Sequence, residues 1–204
     1  MRNLHIALIC LLFMGCTTAY GPANFTGGYK ERKLDENSYI VSFFGNGNTS
    51  EQQVWNYWIY RCAELTLQNG YELFALIPSD KHALLNDPDK DKLVEFAMYD
   101  DQLTDGHPSK VTPVQYYYYS VTTYSSKAIV NMYKVPVPAE VSMDILLDAK
   151  TIIEVLKPYV DSKAKIVSPD RKNLFIRAAV EAVIRAKMME GEEADTLRNK
   201  TVEI

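Results

Sequence analysis

The sequence predicts an α+β fold, a single domain in which helices pack on a mixed β-sheet, with a C-terminal helical extension. Three observations carry this. Residues 39–77 give strand, helix and strand signals in that order, residues 114–135 read as a pair of strands, and two amphipathic helical patterns follow. A chain of 204 residues is long enough for one self-sustaining core. Its hydrophobic fraction of 47% and charged fraction of 24% are those of an ordinary globular protein, and only its 14 tyrosines stand out.

Residues 1–15 do not read as part of that domain. Arg2 precedes the apolar run from Ile6 to Met14. The run is shorter than the roughly 20 residues a bilayer span needs, but it suits the h-region of a signal peptide. It stops at Gly15-Cys16, and Phe13-Met14-Gly15-Cys16 resembles a lipobox, although Phe13 stands where leucine is usual. The expectation is therefore a signal peptide over 1–15 and a lipid-modified Cys16. An ordinary secreted protein with an incidental Cys16 is the alternative. Thr17 after the cysteine, in place of aspartate, directs the expectation to the outer membrane, periplasmic face. Cys10 would leave with the signal peptide, so Cys62 is the one thiol remaining and is expected to be a small buried hydrophobe.

Residues 16–38 carry Gly21-Pro22 and Gly27-Gly28 and read as a flexible tether between lipid and domain. The domain is expected over 39–160. Tyr39 to Phe44 is β-branched and aromatic, a strand, and Gly45-Asn46-Gly47-Asn48 ends it. Thr49 or Ser50 can cap a helix, with Gln52 or Gln53 placed to complete a capping box. Val54, Trp58, Cys62 and Leu65 form one apolar stripe along that helix, and Gly70 stands where its C-terminus should turn. Tyr71 to Ile77 follows as a second strand, which predicts a crossover onto one sheet.

Residues 78–113 read as an acidic, proline-bearing insertion. Val114–Tyr124 and Lys127–Val135 predict an antiparallel hairpin. A second amphipathic helix is expected from Asp144 to Leu156, ending before Pro158. The extension, 161–204, holds a last helix with Ser168 as cap, Pro169 in its first turn and Gly191 at its end. Phe175, Ala178, Ala182 and Ala186 share a face of it that must dock, on its own domain or on a partner chain.

Particular residues suggest a family. Gly27-Gly28-Tyr29-Lys30-Glu31, Leu34-Asp35, Asn37, Tyr39 to Asn46 and Thr49 resemble the core of a family of uncharacterised proteobacterial outer-membrane lipoproteins. The resemblance continues through Tyr60 to Thr66, Gly70-Tyr71 and Phe74, and loosely through 144–160. Residue 62 is Cys where the family prefers Ala. What the resemblance implies is a compartment and a fold, and no activity.

The remaining motifs point away from most chemistries. With a net charge of −4, and −5 once Arg2 is removed, the chain lacks the basic footprint of a nucleic-acid binder. Gly45-Asn46-Gly47-Asn48-Thr49 lies between a strand and a helix N-terminus, as a phosphate cradle would, but it lacks the P-loop lysine. A tight turn into a capped helix, with glycines supplying positive φ, accounts for it. Asp87-Pro88-Asp89-Lys90-Asp91 begins like a calcium loop, but Lys92 and Met98 stand where glycine and glutamate are required. No metal site, cofactor motif or catalytic signature is recognisable. Tyr116 to Tyr119 is the most conspicuous run. Alternation puts Tyr117 and Tyr119 on one strand face, which either contacts protein or glycan or lies covered. The sequence thus reads as a non-enzymatic envelope lipoprotein that binds or scaffolds. Its alternatives are a structural part of a multi-protein envelope or secretion complex, and an envelope hydrolase using His82 or His107 as base.

Overall fold

The computed structural model describes residues 17–77 and 123–202. Five strands and four helices follow in chain order. They are β1 (Gly28–Lys33), β2 (Ser38–Phe44), α1 (Glu51–Gln68), β3 (Leu73–Ile77), β4 (Ser125–Tyr133), β5 (Leu146–Asp148), α2 (Ala149–Asp161), α3 (Arg171–Ala186) and α4 (Glu192–Val202).

The α+β architecture is as expected, but the sheet is not mixed. Its order is β1-β2-β4-β3-β5 and every neighbouring pair is antiparallel. β2, α1 and β3 do form a crossover between strands that run the same way, with β4 lying between them. β4 is accordingly a central strand. Its burial alternates strictly, with Ser126, Ala128, Val130 and Met132 buried on the helix side. The first arm of the expected hairpin falls on residues outside those described, apart from its end.

α1 is the central helix. Ser50 caps it by accepting from the Gln53 amide at 3.2 Å, and a Schellman turn closes it, with Gly70 N–H donating to Leu67 and Tyr71 N–H to Thr66. Gly70 has φ +75°, which explains the glycine. The expected stripe of Val54, Trp58, Cys62 and Leu65 is buried, and so are Tyr57, Ile59 and Ala63. The stripe was too narrow because α1 is enclosed by the sheet, by α2 and by the N-terminal segment together. Each of its large apolar side chains contributes about 1.5–3 kcal/mol by leaving water.

Three expectations need correction. Residues 17–38 are no tether: Thr18 is 1% exposed, Tyr20 packs on the core, and Gly28–Lys33 is the edge strand β1, in register with β2 from Gly28↔Phe44 to Lys33↔Tyr39. The second amphipathic helix starts at Ala149, because Leu146–Asp148 pairs with β3 and Asp148 is the cap. It also runs through Pro158, which lies in the helix's final turn. The last helix starts at Arg171 with Asp170 as cap, while Ser168 is drawn off to accept from Asn56 Nδ2 at 2.7 Å. It ends at Ala186, where Met188, at φ +51°, makes the turn expected of Gly191.

The face carrying Phe175, Ala178, Ala182 and Ala186 docks on its own domain. Ala178 and Ala182 have no exposed surface, Phe175 packs on the main core against Trp55, and Ala186 lies on a small second cluster with Leu73, Ala75 and Leu146. Two alanine turns let the α3 backbone approach the β5 edge closely. As a partner surface, this face is already occupied.

Candidate functional site

Thr17 and Thr18 are the first described residues, immediately after Cys16, which itself lies outside the described residues, as do Tyr117, Tyr119, His82, His107 and the Asp87–Asp91 loop. What the structure gives in detail is how the chain next to Cys16 is held. The Thr18 amide donates to Thr49 Oγ1 at 2.8 Å, and the Thr18 hydroxyl donates to the Thr26 carbonyl at 2.7 Å. The same hydroxyl accepts from the Asn46 amide at 2.8 Å. Gln53 Nε2 donates to the Thr18 carbonyl at 3.1 Å, so this glutamine binds the N-terminal segment and does not complete the expected capping box.

This clasp also decides the reading of the Gly45–Thr49 turn. Four of its five amides are taken: Gly45 donates to the Tyr124 carbonyl, Asn46 to Thr18, Asn48 to Asn46 Oδ1 and Thr49 to the Asn46 carbonyl. A phosphate would have to displace these protein acceptors, so the loop is a turn into a capped helix. Gly45 serves there by leaving room, since a Cβ would stand 2.7 Å from Val54 Cγ2.

Next to the clasp lies a polar cluster that no sequence pattern announced. Antiparallel register puts Tyr29 and Glu31 of β1 on the helix side of the sheet, opposite Phe43 and Val41. There Arg61 of α1 ion-pairs with Glu31 and with Glu64, and its guanidinium lies 4.4 Å from the centroid of the Tyr29 ring. Tyr20 donates its hydroxyl to Glu64 at 2.6 Å. Burial pulls the Arg61 pKa down, but the hydrogen bonds to Glu31 and Glu64 raise it further, so the guanidinium stays charged. Burial first, and Glu64 second, push the Tyr20 hydroxyl far up, so it remains a donor. The group is closed on itself: cation, two carboxylates and two rings satisfy one another, and its work is to fasten β1 and the N-terminal segment to α1. The signal available in the sequence was the charged GYKERK segment, unexpected in a strand unless a buried opposite charge awaits it.

A second closed cluster ties the C-terminal half. Asp148, 1% exposed, accepts from the Thr151 amide at 2.7 Å and hydroxyl at 2.8 Å, and from Arg185 Nε at 2.5 Å. Cys62 is fully buried, as anticipated, and burial pushes its thiol well above the usual range, which removes the thiolate a nucleophile or metal ligand needs. Among the described residues, no group of three acidic, histidine or cysteine side chains is placed to hold a metal ion, and no helix is long and apolar enough to cross a membrane. An open depression lined by Met189, Glu192, Glu193, Thr196 and Leu197 lies where α3 turns into α4.

Compared with family models, with curated proteins and with solved structures, the chain finds no match in any of the three.

Proposed function

We propose that this chain is a cell-envelope lipoprotein, attached through Cys16 to the outer membrane on its periplasmic face, and that it acts by binding or scaffolding without catalysis. One observation carries the reading: the apolar run Ile6–Met14 ends at Gly15-Cys16, and two residues later Thr18 is already buried in the described fold. Diacyl modification would supply two or more acyl chains, where a single chain anchors only marginally. Among the described residues, the polar groups around Arg61 and Asp148 are engaged with each other and tie elements together, and the Cys62 thiol is sealed in the core. In this reading, contact with an envelope partner falls to Tyr117 and Tyr119. The resemblance of 27–77 to proteobacterial lipoproteins belongs to the same proposal.

The test is Cys16→Ser in cells supplied with a labelled fatty acid. The unaltered protein should take up label and sediment with membranes, and Cys16→Ser should do neither. Label retained by Cys16→Ser would refute the attachment site.

A further inference from the structure

The clasp constrains how a Cys16-anchored domain sits on its membrane. Two residues span at most about 7 Å even when fully extended. Thr18 is buried and fixed by Thr49, Thr26, Asn46 and Gln53. A lipid on Cys16 therefore cannot act as a long leash, and whatever surrounds Thr18 is drawn to the bilayer surface.

What surrounds it suits that surface. Asn24 and Gly27 bond to each other across a two-residue turn, and Phe25 at its tip is fully exposed, one residue from the Thr26 carbonyl that Thr18 holds. On the other side of the clasp, the first turns of α1 reach the segment before α3: Asn56 bonds Ser168 at 2.7 Å, and Glu51 lies 3.8 Å from Arg171. Beside Ser168, Val167 is 91% exposed and Ile166 is half exposed. Lys163, Lys165, Arg171 and Lys172 flank these two in sequence, all exposed, against the acids Asp161, paired with Lys157, Glu51, paired with Arg171, and Asp170, which caps α3. An excess of cations at this end of a chain whose net charge is −4 is a local arrangement that composition does not explain.

We propose that the end of the fold bearing Thr18 is a membrane-apposed face, on which Phe25 and the Lys163–Val167 loop contact the bilayer that holds the Cys16 acyl chains. This rests on the lipoprotein reading above. An aromatic ring on a turn partitions into the interface, and lysines around an aliphatic pair match anionic head groups. The domain would then lie flush on the membrane in one orientation, with the Leu34 end facing away.

The test uses the full, lipidated protein in vesicles of phosphatidylethanolamine with a minority of phosphatidylglycerol. Cys62 is buried, so Phe25→Cys, Val167→Cys and Leu34→Cys each offer one accessible thiol for an environment-sensitive fluorophore. Flotation is measured on the same samples, along with quenching by head-group spin-labelled lipid. The expected result is several-fold quenching at Phe25→Cys and Val167→Cys and little at Leu34→Cys. Flotation with equal or absent quenching at all three positions overturns the apposed face alone. Failure of the lipidated protein to float overturns the anchor, and the face with it.

Discussion

Thr18 and Cys62 show what single side chains do in this fold. Thr18 is an ordinary polar residue in sequence, yet its hydroxyl satisfies the Asn46 amide and its backbone completes Thr49. Thr18→Val keeps the shape and removes the hydroxyl, and with it the bonds from the part-buried Asn46 amide and to the Thr26 carbonyl. The cost should be about 1–3 kcal/mol, read as a lowered urea midpoint. A midpoint equal to that of the unaltered protein would mean that residues 17–27 are a loose lead-in after all. Cys62 is the opposite case, an inert residue in a reactive type. It should resist a thiol reagent in the folded protein and react on unfolding, and Cys62→Ala should cost about 1 kcal/mol through a small cavity. Modification at the same rate in both states would contradict its burial. The burial of Cys62 was legible because an unpaired thiol on an apolar helical stripe has few other uses. The role of Thr18 was not, because its partners lie 8 to 35 residues away in sequence.

Among the elements, β1 was hidden for a physical reason. Its charges, Lys30, Glu31, Arg32 and Lys33, suppress the alternation by which strands are recognised, and they suit an edge that must not pair with another chain. Of the two charges on its helix side, Glu31 is compensated by Arg61, a residue on another element, and Lys33 lies over the Tyr39 ring. The α1 boundaries were legible to a residue, since Ser50 and Gly70 are local signals. The start of α2 was not, because Leu146–Asp148 looks helical in sequence and becomes a strand only by pairing with β3. At the C-terminus, α4 depends on a bidentate tie, Arg198 Nε to Glu181 Oε1 at 2.7 Å and Nη2 to Oε2 at 2.9 Å. The hydrogen bonds from Arg198 hold the Glu181 carboxyl below the usual range, against the smaller opposing effect of its burial. A carboxyl lowered on folding stabilises above its unfolded pKa, about 4.3, and that contribution is lost as pH falls through the folded value. Amide NMR shifts of residues 192–202 should therefore hold from neutrality and move only as the pH falls below the ordinary carboxylate value. Glu181→Gln should give the displaced shifts at neutral pH. Shifts that do not respond to Glu181→Gln would show that Ala194, buried against α3, holds the helix alone.

At the scale of the molecule, α1 is packed on several sides and α3 closes the β5 edge, so α3 belongs to the core. Deleting residues 168–204 removes Leu174, Ala178 and Ala182 from that core and uncovers Leu146 and Trp55. A domain held by a net 5–15 kcal/mol should not unfold cooperatively afterwards. A truncated protein with an unchanged melting temperature would restore the extension as a separate partner element. The α+β class was legible from the order of strand and helix signals, whereas the strand order was not, since β4 enters between β2 and β3 from the far side of a long insertion. Thr18, two residues after Cys16, is buried and hydrogen-bonded, and the account depends on what that cysteine carries. The most direct measurement is intact mass and N-terminal peptide analysis of the protein purified from its own membranes. The account predicts a mature chain that begins at Cys16 and bears a thioether-linked diacylglycerol. A chain that begins at any other residue, or an unmodified Cys16, would contradict it.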